Sequence, residues 1–82
     1  MENNRFEMNV CLIYPDNLVK EPLLYELCTK NEVEFNIFNS KVDKGEGRIE
    51  LTLGSSDSKK VYDAIMCFQK KGVRVIFNNR AN

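Results

Sequence analysis

Histidine is absent from this 82-residue chain. Its absence removes the usual general base at neutral pH and the commonest metal ligand. Cysteine is scarce and scattered, at positions 11, 28 and 67, with no C-x-x-C pair. A zinc site or an iron–sulfur cluster would therefore have no local ligand pair. Three widely spaced thiols read as reduced, partly buried side chains of a cytosolic protein. Net charge is also missing, since twelve basic residues balance twelve acidic ones. A nucleic-acid partner is not expected, because phosphate contacts call for a positive field. The same balance removes charge repulsion as a barrier to self-association. No apolar run exceeds five residues, as in Val10 to Tyr14 and Ala64 to Phe68, whereas a membrane span needs about 20. MENNRFEMNV carries no hydrophobic signal region, so a cytoplasmic location is expected. There is no internal repeat, linker or low-complexity stretch. The chain reads as one domain, residues 1–82 with a core over 6–77, too small to enclose a deep catalytic cleft of its own. A pocket shared between two copies is the easier way to make one.

What is present is periodicity. Phe6, Met8, Val10 and Leu12 alternate with Glu7, Asn9, Cys11 and Ile13, which predicts a strand buried on one face. Tyr-Pro-Asp-Asn at 14–17 breaks it. Pro22 suits a first helical turn, and Leu23, Leu24, Leu27 and Cys28 follow at helical spacing. Val33, Phe35 and Ile37 open a second strand, and Lys44-Gly45-Glu46-Gly47 supplies a turn. Ile49, Leu51 and Leu53 mark the third strand. Val61, Ala64, Ile65 and Phe68 recur as an amphipathic helix that ends at Gly72, and Val73, Val75 and Phe77 form the last strand.

The order β-α-β-β-α-β predicts an α+β, ferredoxin-like sandwich: a four-stranded antiparallel sheet with two helices on one face. The other face then holds, by subtraction, Asn9, Cys11, Ile13, Glu34, Asn36, Phe38, Ser40, Arg48, Glu50, Thr52, Arg74 and Ile76, among which Cys11, Ile13, Phe38 and Ile76 form an apolar strip. A merely solvated face would be more polar, so an exposed apolar strip there points to a partner or a ligand.

Pro22-Leu23-Leu24, Asn36-Ile37-Phe38, Gly47 before a strand ending in Leu53-Gly54, Ala64-Ile65 and Gly72-Val73-Arg74-Val75 together resemble the NIL domain over residues 6–77. That family is named for an Asn-Ile-Leu motif, whose third position is Phe38 here. The resemblance implies an ACT-like ferredoxin fold and the role of a regulatory domain, as in the ATP-binding subunits of methionine importers. It also implies pairing into a homodimer and binding of an apolar amino acid such as methionine. Asn36 is the position carried over from the motif. Phe38 either lines a pocket for an apolar side chain or fills it.

The residues suit that implication. The Asn36 amide offers two donors and an acceptor, enough to hold one end of a zwitterion, or to set pairing register at a dimer seam. The first turn of the first helix, near Leu23, would point free N–H groups at the loop of Asp16 and Asn17, which favours a carboxylate. Asn36, Phe38, Asp16, Asn17 and Leu23 are the expected ligand residues, and Cys11, Ile13 and Ile76 the expected interface. The expected function is a stand-alone regulatory or sensing module without cofactor or metal. The alternative is a ligand-free assembly module that docks a second copy, a larger enzyme or a transporter. No enzyme is expected, because no cysteine has a candidate base nearby in sequence. The third strand, RIELTL, lacks the stacking aromatics that RNA-recognition sheets display.

Overall fold

Residues 5–15 and 23–77 are described by the structure, a computed structural model. The elements follow in the order β1 (Phe6–Tyr14), α1 (Leu23–Lys30), β2 (Glu34–Asp43), β3 (Glu46–Ser55), α2 (Ser58–Lys71) and β4 (Arg74–Phe77). The strands form one antiparallel sheet in the order β2-β3-β1-β4. This is the ferredoxin-like α+β arrangement expected from the periodicity.

Alternation sorts the sheet into two faces. Val10, Leu12 and Tyr14 of β1 and Leu51 and Leu53 of β3 point to one side, where all are buried. Leu23, Leu27 and Cys28 of α1 and Val61, Ala64, Ile65 and Phe68 of α2 complete the same core. Both helices therefore lie on that side, and the other face of the sheet carries no helix. Leu23, expected near a ligand, sits within this core at 3% exposure. Asp16 and Asn17 lie outside the described residues.

Each turn has a local cause. Lys44 and Gly45 link β2 to β3 with φ of 53° and 77°. Two consecutive positive φ values make the tight hairpin turn whose twist matches its strands, and glycine meets that demand without steric cost. Asp57 caps α2 by accepting the Lys59 N–H at 3.0 Å. At the C-termini the two helices use one device. Val73 N–H donates to Phe68 O and Gly72 N–H to Gln69 O; Val33 N–H donates to Cys28 O and Glu32 N–H to Thr29 O. Both are Schellman ends with a left-handed residue, Gly72 at φ 101° and Glu32 at φ 59°.

The departure from simple alternation is in β2. Ile37 pairs with Leu51 but Asn39 pairs with Glu50, so Phe38 is an extra residue, a β-bulge. Before it, Phe35 and Ile37 face the helices, opposite Leu53 and Leu51. After it, Ser40 and Val42 face the helices, opposite Ile49 and Gly47. Ser40 was expected on the open face; the extra residue turns it to the other one.

Candidate functional site

β2 is an edge strand, and all ten of its residues are exposed. It carries Asn36, the motif asparagine, and separates two hollows.

The first hollow is polar and lies on the open face. It measures about 280 Å³ and is bordered by Arg5, Glu7, Glu34, Asn36, Thr52 and Gly54. The register builds it. Glu7, Gly54 and Glu34 form one row across β1, β3 and β2. Gly54 leaves the middle of that row without a side chain. Arg5 lies across the gap, donating from Nε to Glu7 Oε2 at 3.0 Å and from Nη2 to Glu34 Oε1 at 2.6 Å. A Cβ at Gly54 would run into its guanidinium. The next row is Asn9, Thr52 and Asn36. Thr52 Oγ1 donates to Asn9 Oδ1 at 2.7 Å, while the Asn36 amide makes no hydrogen bond to another described residue. Asn36 thus stands exposed beside both signs of charge and keeps its hydrogen-bonding capacity for a visitor.

The second hollow is apolar and lies on the helix-bearing side. This groove of about 650 Å³ runs between the first turns of α1 and the hairpin, lined by Tyr14, Leu24, Tyr25, Phe35, Ile37 and Val42. Much of that apolar surface is in water: Ile37 is 44% exposed, and Val42 and Tyr25 are 67% exposed. One end of the groove abuts Tyr14, whose hydroxyl is buried without a hydrogen-bond partner among the described residues. Burial raises its pKa, and the nearby Cys28 thiol adds to the shift.

The structure sorts the remaining expected residues. Phe38 is the bulge residue and is 56% exposed. Cys11 and Ile76 are brought together as cross-strand partners. Ile76 is exposed, but Cys11 and Ile13, expected in an exposed apolar strip, are buried at 4% and 3%. Both lie on the central strand of the sheet, flanked by β3 and β4. Ile13 lies in register between Arg48 and Arg74, and Arg48 Nη1 reaches Cys11 Sγ at 3.6 Å. Long arginine stems lying over apolar neighbours produce this kind of burial. The exposed apolar side chains of the open face are therefore Phe38 and Ile76.

Arg5, Glu34 and Gly54 were not foreseen as site residues. Glycine inside a strand was the available signal, since it often marks a close approach by another group. Burial pushes Cys28 up to about 12, and no disulfide forms among the three cysteines. No cluster of metal-binding side chains occurs among the described residues. No described helix is long and apolar enough to cross a membrane.

Comparison with known proteins agrees with this architecture. The crystal structure of the C-terminal domain of an ABC transporter ATP-binding protein from Enterococcus faecalis superposes with a TM-score of 0.70 at 17% identity, covering 90% of this chain and 86% of that one. The de novo designed protein Foldit4 gives a TM-score of 0.59 at 10% identity, covering 95% of this chain and 98% of the other. The designed protein Ferredog-Diesel gives 0.55 at 15% identity, with coverages of 90% and 85%. At these identities the likeness shows the fold, and the designed chains illustrate that the fold alone assigns no function. No curated protein sequence matches the chain. The family model of the NIL domain matches residues 8–76. The chain belongs to the NIL domain family.

Proposed function

We propose that the chain is a regulatory or sensing module that binds an apolar amino acid such as methionine at a homodimer interface. The observation that carries this reading is the exposed Asn36 on a bare edge strand. One side of that strand borders a polar hollow with both signs of charge, and the other borders an apolar groove. A zwitterion with an apolar side chain needs both environments. The bareness of β2 supports pairing, because an open edge leaves backbone donors and acceptors unmet and is normally blunted or covered. The ABC transporter protein whose C-terminal domain shares the fold makes a transporter, or another larger enzyme, the natural partner, working in the cytoplasm. Catalysis is not part of the proposal, since the chain has no histidine to activate a thiol.

Isothermal calorimetry with a panel of amino acids tests the reading. Heat and a rise in Tm with L-methionine are expected, weakened at least tenfold in Asn36→Ala. No heat and no thermal shift at millimolar ligand would remove amino-acid binding. The apolar groove beside an open edge also favours a second reading, a ligand-free assembly module. A ligand-insensitive dimer in sedimentation would support that reading instead.

A further inference from the structure

We infer that the bare face of the sheet carries a second binding site, for a small phosphate-bearing ligand, built by Arg48 and Arg74 on either side of Ile13 with Lys41 at the β2 edge. This site goes beyond the proposed amino-acid site and needs neither that ligand nor a second copy of the chain.

Register brings the cations together. Lys41 pairs with Arg48, Arg48 with Ile13, and Ile13 with Arg74. One row across β2, β3, β1 and β4 therefore holds three cations and one apolar residue, on the face that carries no helix. Neighbouring strands lie about 4.8 Å apart, so the backbones of the two arginines stand about 10 Å apart, close enough for both long side chains to reach one ligand. Lys41, Arg48 and Arg74 are exposed, and none of the three forms an ion pair with a described residue. Like charges opposite each other destabilise a sheet, so this row opposes folding and finds no compensation among the described residues. The floor between the arginines is apolar, since Ile13 is 3% exposed, and attraction to an anion is stronger over such a surface than in open water. Arg48 Nη1 reaches Cys11 Sγ at 3.6 Å, which brings its guanidinium over β1, the strand that Arg74 flanks from the other side.

Charge and geometry select phosphate. A carboxylate is satisfied by one guanidinium through two parallel hydrogen bonds. A phosphate monoester carries close to two charges and three acceptor oxygens, which two guanidinium forks and an ammonium can divide between them. The neighbouring rows restrict its size. Asp43 and Glu46 face each other in the next row toward the hairpin. On the opposite side Glu50 stands in the next row, beside Asn39 and Cys11, and further on Glu7 and Glu34 share Arg5. Carboxylates thus border the cationic row on both sides, which fits a compact anion and repels a strand of nucleic acid.

NMR titration of the isotopically labelled full chain at constant ionic strength tests the site. Inorganic phosphate, ribose 5-phosphate and AMP are each expected to give saturable shifts at the amides of Ile13, Arg48 and Arg74. Arg48→Gln and Arg74→Gln, both at exposed positions, should each weaken all three at least fivefold with the circular dichroism unchanged, and the double variant should abolish binding. Arg48→Lys should keep part of the affinity that Arg48→Gln loses. Raising the salt concentration should weaken binding in the parent. Tighter binding of AMP than of ribose 5-phosphate assigns a nucleotide, and equal affinity assigns a plain phosphate ester; either upholds the site. No saturable shift at millimolar phosphate and AMP, or shifts that survive in the double variant, overturns it. Tighter binding of single-stranded RNA than of AMP overturns the compact ligand. None of these results bears on the amino-acid site, which the Asn36→Ala calorimetry tests separately.

Discussion

Removing one oxygen atom should make this protein more stable. Tyr14 ends the central strand β1, is 4% exposed, and has a hydroxyl without a partner among the described residues. In the unfolded chain that hydroxyl is hydrated, so folding strips its water and returns no hydrogen bond from a described residue. An unmet buried polar group costs about 1–3 kcal/mol. Tyr14→Phe removes this cost and leaves the ring where it packs. The oxygen also leaves a small void, which returns part of the gain through lost dispersion contacts. The expected net is a stabilisation of about 1 kcal/mol, against the usual destabilising direction of core substitutions. For a domain of this size, 1 kcal/mol moves Tm by about 4–8 °C. Urea and thermal unfolding of the two proteins at pH 7 measure it, with equal m-values required so that the difference belongs to stability. A fall in stability would refute the reasoning, because it would mean that the hydroxyl is hydrogen-bonded. The Cys28 thiol would be the first suspect, and repeating the comparison in a Cys28→Ala background would expose that bond as a coupling between the two sites.

Other outcomes follow from the packing. Phe68 is fully buried in α2, and Phe68→Ala should cost about 3–5 kcal/mol, enough to leave a small domain partly unfolded by circular dichroism at 37 °C. Gly72→Ala forces a side chain into the left-handed region and should cost about 1–2 kcal/mol. Glu32→Gly relieves the same geometry at the end of α1 but loses the ion pair with Lys60, which holds the Glu32 carboxyl below its usual pKa. In 1 M salt, where that pair is screened, the variant should have a higher Tm than the parent. Cys28 normally titrates at 9.0 and is raised to about 12, so the folded state keeps its proton longer than the unfolded one. This contribution to stability is complete below pH 9.0 and declines as pH rises toward 12, and urea midpoints should fall over that range. At pH 8, iodoacetamide should modify the partly exposed Cys67 first and leave Cys28 protected, as followed by mass spectrometry.

The elements that were legible are those whose residues meet one environment throughout. β1 alternates because one face meets the helices, and α2 repeats at 3.6 because one stripe meets the sheet. Gly72 announces the end of α2, because it alone meets a left-handed position there without steric cost. The bulge left a fainter trace. Apolar residues of β2 fall on odd positions at Phe35 and Ile37 and on an even one at Val42, which is what an inserted residue does to alternation. The burial of Cys11 and Ile13 was not legible, because it depends on which strands flank β1 and on where the arginine stems of those strands lie. The polar hollow was illegible for the same reason. It is assembled from three strands, and nothing near Gly54 in the chain mentions Arg5. Asn36 was recognised through its motif, and its exposure became apparent only once β2 was known to be an edge.

The bulge also limits how this strand can change in length. Dropping Phe38 would restore plain alternation and leave everything from Asn39 to the hairpin turn on the side it now occupies. Losing Lys41 instead would turn over the residues between it and the bulge, so that Ser40 would leave the groove's side. Among kin of this chain, single-residue gains or losses in β2 should therefore fall at the bulge or in the turn. Elsewhere along the strand they should come in twos.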